Sequence, residues 1–428
     1  MAEVKPFQGV LYNIEKIGDL SSVICPPYDV ISPSEQDFYY DLSDYNIVRV
    51  ELGKHFPDDN DKNNSYTRAR DHLEAWLNQG ILIRDNYPNY YIYLQEFTYD
   101  GKIYQRPGIV LAVRLEDYEN RIIIPHEKTL PKAKEDRLNL LRATHTNVSQ
   151  IFGFFSDKTR RALLAVNETI KEEDPVYSGV DKTGVRHSLY RIPQKFFTDI
   201  SEAFLDAQIF IADGHHRYET ALNFRNEMRR QFGLIDNAWY EYVMMTVVPV
   251  ELDLLVLPYH RIARLPENLT EKELFNKLKE RFEVRSLPGS HHLKDHLEKE
   301  AAKCAFGVVT NSNSFIVIIP EEEIEKVRNV EFEPLRKLVT NVLSELVLKP
   351  IFGINEDEIE TKLSFTSDYR KAVEMPKENS SLVSFVVNPI SVDTIREIAL
   401  NGYTMPQKST YFYPKLWTGL VMRSNLKI

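Results

Sequence analysis

The sequence predicts an α+β fold of mixed sheets with inserted helices. Three observations carry that expectation: strand-like runs joined by tight turns in the first half, helical periodicities scattered between them, and no regular alternation of strand and helix. The 428 residues suffice for two or three domains or one composite domain, and 43% hydrophobic with 27% charged residues is ordinary globular composition.

Along the chain, the apolar run over 23–31 (VICPPYDVI) is stopped by Pro26 and Pro27, which cannot donate to a ladder. It reads as a strand end or rigid loop that projects Asp29 from a fixed backbone. A polar loop over 57–65 leads into a helix over 66–79, where Ala69, Leu73, Trp76 and Leu77 share one face and Gly80 ends it. Alternation over 90–99, the pair Asp100-Gly101 and continuation from Ile103 signal a hairpin, with a further strand over 108–115. A basic helix over 132–142 precedes a strand over 148–155. A buried strand over 206–213 is broken by Gly214, a helix follows over 216–232, and apolar strands cover 242–248 and 254–257. Beyond these, helices are expected over 271–282, 292–303 and 333–348, and strands over 305–309, 315–319 and 381–388. A domain boundary fits between 235 and 265, although no Pro/Gly/Ser-rich linker marks it.

Charge and cysteine content narrow the function. The formal net charge of −10 disfavours a general nucleic-acid surface, which relies on neutralising phosphates, but leaves room for a local anion pocket. The two cysteines, Cys25 and Cys304, can build neither a disulfide framework nor a four-thiolate zinc site, and they suit a reducing compartment. The opening segment lacks the charged-then-apolar layout of a signal peptide, and no apolar run is long enough to span a bilayer, so a cytoplasmic protein with no membrane partner is expected.

The sharpest local feature is FIADGHHRYETA, residues 210–221: a buried strand, a glycine and the immediate start of a helix. The backbone N–H groups and positive dipole end of such a helix face whatever sits above the strand. Gly214 permits close approach, Arg217 grips phosphate oxygens bidentately, and His215 and His216 donate hydrogen bonds. Asp213 holds a magnesium ion or accepts a proton. The alternative is an acid-capped helix start with packed histidines.

Residues 126–147 (HEKTLPKAKEDRLNLLRATHTN) form a basic island with Lys128, Arg137 and Arg142, either a polyphosphate wall or a solvated helix face. Lys408, Ser409 and Thr410 offer one cation and two hydroxyls without the glycines of a phosphate loop. The absence of G-x-G-x-x-G after a strand removes the main nicotinamide-cofactor signal.

With these segments in view, the chain resembles the domain of unknown function 1015 family over nearly its whole length. The likeness is carried by PFQGVLYN with CPPYDVIS, HEKTLPKAKEDRLNLLRATHTNVSQIF, IADGHHRYETAL, LPYHR, and MPQKSTYFYPKLWTGLV. The Asp-Gly-His-His-Arg element also resembles the nucleotide-handling motif of the superfamily that holds ParB partition proteins, sulfiredoxin and the free serine kinase. That resemblance implies a ParB/sulfiredoxin-like nucleotide-binding core over 1–250, and a C-terminal α+β region over 251–428 that packs back on the site, unless both form one composite domain. It implies phosphoryl transfer between a nucleotide (ATP or ADP, with Mg2+) and a small hydroxyl metabolite such as serine or phosphoserine. Gly214, Arg217, Lys128, Arg137, Arg142, Lys408 and Ser409 would bind phosphate, Asp213 the metal, and Asp213, His215, His216, Asp29 or Glu127 would handle protons. His215 stands where sulfiredoxin carries cysteine, which argues against sulfinic-acid repair. A non-catalytic nucleotide-binding regulator and a phosphatase on a phosphorylated metabolite are the alternatives.

Overall fold

The hairpin at Asp100-Gly101 shows how local sequence builds the larger sheet. Both turn residues take positive φ, 50° and 76°, as a two-residue turn matched to strand twist requires. A computed structural model gives the fold and describes residues 1–129, 131–327, 330–355 and 358–426. The chain is α+β and falls into two compact units: Met1–Pro125, Thr129–Leu254 and Pro414–Ile428 form the first, and His126–Lys128 with Leu255–Tyr413 form the second.

In the first unit, nine strands among the described residues make one mixed sheet: β1 (Val4–Lys5), β2 (Tyr91–Tyr99), β3 (Lys102–Arg114), β4 (Ile123–Ile124), β5 (Ile151–Phe155), β6 (Tyr177–Val180), β7 (Arg186–Arg191), β8 (Ile209–Asp213) and β9 (Tyr242–Pro249). Their order is β4-β8-β5-β9-β3-β2-β7-β6, with β1 added on β3. The two strands expected over 103 onward and 108–115 are one. Pro107 is tolerated inside β3 because it faces Leu94 on β2, while pairing with β9 covers only Ile109 to Arg114. The missing N–H therefore falls where β9 does not need it.

One face of this sheet is the core. Ile92 and Leu94 of β2, Ile109, Leu111 and Val113 of β3, Ile151 and Phe155 of β5, Ile209 and Ile211 of β8, and Val243, Met245 and Val247 of β9 form a single buried cluster. Each set follows the period of two that a strand imposes. Tyr218, Ala221 and Leu222 of the helix over His215–Phe232 join the same cluster. Three helices matter below: α1 (Val48–Glu51), α2 (Pro131–Thr144) and α3 (His215–Phe232). Leu141 of α2 and Phe224 of α3 meet Tyr240 in a smaller cluster.

The second unit contains a six-stranded antiparallel sheet, in the order Glu283–Leu287, Ser314–Ile318, Ala305–Val309, Leu382–Val387, His260–Arg264, Leu363–Thr366. Phe306, Val308, Phe315, Val317, Val383 and Phe385 fill its core with Leu274 and Leu278 of the helix Glu271–Lys279. The single helix expected over 333–348 is instead interrupted. Leu338 is extended (ψ 125°), and a π-helical turn spans Ser344–Leu348, with the Lys349 amide donating to the Ser344 carbonyl. Pro350 follows, a residue with no N–H to continue the ordinary ladder. Among the described residues, no helix is long and apolar enough to cross a membrane.

Candidate functional site

The strand β8 delivers Asp213 through a bulge. Phe210 pairs with Phe154 and Ile211 with Gly153, but Asp213 is the next to pair, with Phe152, so Ala212 is the extra residue. In a regular strand Asp213 would follow Ile209 and Ile211 onto the apolar core face; the bulge breaks that alternation and re-aims the carboxylate. Gly214 then turns the chain in the left-handed region (φ 91°), and α3 starts at once, with no side chain capping its first turn. A Cβ at Gly214 would stand 3.0 Å from the Arg217 guanidinium. Glycine is thus needed both for the backbone angle and for the space.

Asp213 does not cap the helix. Its Oδ2 accepts from Arg217 Nη2 at 2.7 Å and its Oδ1 accepts from Lys415 Nζ. Burial would raise the Asp213 carboxyl, but the charges of Lys415 and Arg217, with a smaller contribution from His215, hold it well below the ordinary carboxylate range. Arg217 Nη1 donates to the Gln150 carbonyl. Asp213 thus meets two formal cations at the positive dipole end of an 18-residue helix.

Lys415 is placed by a buried polar network on the sheet face opposite the main core. Gln95 Nε2 donates to the Lys415 carbonyl at 2.9 Å, and Arg106 donates to Gln95 Oε1 and to the Pro414 carbonyl. Arg106 also lies over the Phe152 ring, 4.6 Å from its centroid. Thr246 donates to Gln150 Oε1. Buried networks of this kind fix a geometry more than they add stability.

The other side of Arg217 borders a cavity of about 50 Å³, lined also by Glu51, Arg137, Asn147, Ser149 and Thr220. Glu51 ends α1 and is 1% exposed. Arg137, from α2, donates to the Glu51 carbonyl at 2.7 Å and to Asp136 Oδ2 at 2.8 and 2.6 Å, and stacks 4.1 Å over Tyr28. Burial raises the Glu51 carboxyl; the charges of Arg137 and Arg217 pull it back without cancelling the rise.

The structure thus brings Asp213, Gly214, His215 and Arg217 together, with Arg137 at the cavity beside Arg217. His215 is buried and His216 half-buried. Arg142 takes another course: its guanidinium is surface-placed and binds Glu227, Nε at 3.0 Å. Asp29 is exposed in the 3-10 turn Tyr28–Val30. Glu127, Lys128, Lys408 and Ser409 belong to the second unit. There the Lys408 amide donates to Glu127 Oε1 at 3.1 Å, the Lys408 ammonium sits 5.3 Å over the Tyr259 ring, and Ser409 donates to the Pro406 carbonyl at 2.6 Å.

Magnesium does not fit Asp213 in this arrangement. Both carboxylate oxygens accept from cationic donors, and among the described residues no three His, Cys, Asp or Glu side chains gather into a metal-binding group. An anion fits better, since it needs the donors and positive field that Gly214, Arg217 and the start of α3 supply.

Three residues escape a sequence reading. Lys415 is a lone cation in the apolar run YFYPKLWTG, an anomaly that does flag it. Gln150 and Glu51 carry no such signal: Glu51 looks like any charged residue after a short apolar run (VRVEL), and only the fold buries it.

No curated protein matches this sequence. Among solved structures, the chain is similar to a free serine kinase mutant in complex with ADP, at 14% identity and a TM-score of 0.35, with 73% of this chain and 92% of that chain covered. It is also similar to SbnI from Staphylococcus aureus with a C-terminal truncation, at 10% identity and a TM-score of 0.36, covering 72% and 85% of the two chains. A conserved hypothetical protein from Pyrococcus furiosus gives 13% identity and a TM-score of 0.33, covering 73% and 95%. Residues 4–341, the strand-to-helix junction included, match the family model described as a protein of unknown function (DUF1015), and the chain belongs to that family.

Proposed function

We propose that this protein transfers a phosphoryl group between a nucleotide and a small hydroxyl metabolite, with serine and O-phosphoserine as the pair to test first. The observation that carries the reading is the junction at Gly214: a bulged strand, a left-handed glycine and an uncapped long helix meet beside a largely buried Arg217 and a buried Lys415. Amides of the first helical turn point at an anion there, and phosphoryl transfer depends chiefly on positioning and on charge aimed at the equatorial oxygens. In the bound state Arg217 exchanges its Asp213 contact for phosphate oxygens, and Lys415 continues to hold Asp213. His215 and His216 donate from the first turn. Arg137, which borders the same cavity as Arg217, extends the phosphate wall in this proposal. No step is assigned to magnesium on Asp213.

The test is transfer by purified protein. ATP with L-serine, and ADP with O-phosphoserine, are followed by the appearance of the product nucleotide. Turnover in either direction supports the reading. Nucleotide binding without turnover on any small alcohol would make the protein a nucleotide-responsive regulator, and phosphate release from O-phosphoserine without nucleotide would make it a phosphatase.

A further inference from the structure

The cavity beside Arg217 holds a group that the protein itself does not complete. Glu51 is 1% exposed, its Oε1 accepts from the Tyr28 amide at 3.4 Å, and its Oε2 has no partner at hydrogen-bond distance, although the Ser149 hydroxyl is close enough to pull the carboxyl down. A buried carboxylate oxygen without a donor is costly and uncommon in folded proteins. The cavity it lines, at about 50 Å³, admits roughly three to five water-sized groups. Ser149, Asn147 and Thr220 give this space polar walls, and Arg137 and Arg217 give it two guanidinium groups. Those cations disfavour an ammonium ligand and leave a hydroxyl as the donor that suits Glu51.

We propose that this cavity receives the hydroxyl end of the phosphoryl acceptor, a small alcohol, and that Glu51 is the base that takes its proton. The inference rests on the phosphoryl-transfer reading above. Arg217 borders both the cavity and the Gly214 junction, so the acceptor oxygen and the terminal phosphoryl group would meet at one side chain. In the step, the acceptor oxygen bonds to the terminal phosphorus. The bond from that phosphorus to its bridging oxygen breaks, its electron pair leaves with the shortened nucleotide, and the hydroxyl proton passes to Glu51 Oε2. The groups that face Glu51 are Arg137, Arg217, Ser149 and Tyr28, with Cys25 also close enough to feel its charge. Burial lifts the Glu51 carboxyl towards the working pH, which improves it as a proton acceptor.

The experiment compares wild type, Glu51→Gln and Glu51→Asp in transfer from ATP to L-serine, with nucleotide affinity and melting temperature measured on each. Glu51→Gln is expected to lower kcat by about a hundredfold or more, to leave nucleotide affinity within about twofold, and to remove the acidic limb of the pH profile. Should Glu51→Gln fail to fold, Glu51→Asp keeps the charge beside Arg137 while withdrawing the carboxylate, and carries the same expectation for kcat. Transfer by a folded variant within about tenfold of wild type, with the acidic limb in place, overturns the assignment and leaves the nucleotide site at Arg217 standing. A parallel fall of nucleotide affinity and stability that accounts for the lost transfer also overturns it, since Glu51 would then be structural. A wild-type protein that binds nucleotide but transfers to no alcohol overturns this inference together with the reading beneath it.

Discussion

Lys415 donates a hydrogen bond to Asp213 across 202 residues of sequence, and so pins the C-terminal segment to the end of β8, two residues before α3 begins. Asp213 is 15% exposed, Arg217 11% and Lys415 7%. Removing the carboxylate from such a triad strands two nearly buried cations. Asp213→Asn is therefore expected to destabilise the protein by about 3–5 kcal/mol in denaturant unfolding. Lys415→Met added to Asp213→Asn should recover part of that loss, so the cycle should be non-additive by roughly 0.5–3 kcal/mol. Simple additivity would mean that the contact contributes nothing.

The same triad sets an acid sensitivity. The folded Asp213 carboxyl lies below its ordinary 3.8, so the unfolded chain binds a proton at a higher pH than the native protein does. Its contribution is fully present above that ordinary value, falls as pH drops beneath it, and is gone once pH passes the folded value. The stability gap between wild type and Asp213→Asn should hold steady from neutral pH to about 5 and then narrow. A gap unchanged down to pH 3 would contradict the assigned direction.

Gly214 is expected to resist replacement. Alanine there takes a left-handed angle that costs an L-residue about 1–2 kcal/mol, and its methyl meets the Arg217 guanidinium at 3.0 Å. Gly214→Ala should lower stability by at least that amount and weaken nucleotide affinity together with it, as read by denaturation and titration calorimetry. Unchanged affinity would place the ligand away from this turn.

Much of the fold was legible because its signals are local. The helix expected over 66–79 forms as Ser65–Asn78, and Asp100-Gly101 makes the expected hairpin. The helices Pro33–Leu42, with its Ser32/Glu35 capping box, and Arg161–Glu172 went unread although each carries local signals. The broken helix near 333–352 was illegible for another reason: its apolar spacing looks continuous, and the interruption lies in backbone angles around Leu338 and Pro350. At the site, the D-G-H-H-R run announces itself through glycine between a strand and a helix. Glu51 and Gln150 do not, because their roles arise only when α1, β5 and α3 converge. Arg142 shows the converse: charge in a basic run says nothing about which partner the fold provides, and here it is Glu227.

The most direct measurement is nucleotide binding to wild type and Arg217→Ala, read as the shift in melting temperature with ATP, ADP and AMP. A ligand selective for the folded state adds about 2.7 kcal/mol at a hundredfold excess over Kd. The account predicts a concentration-dependent rise for wild type and none for a folded Arg217→Ala. No rise with any nucleotide for wild type, or an equal rise for the variant, would contradict it.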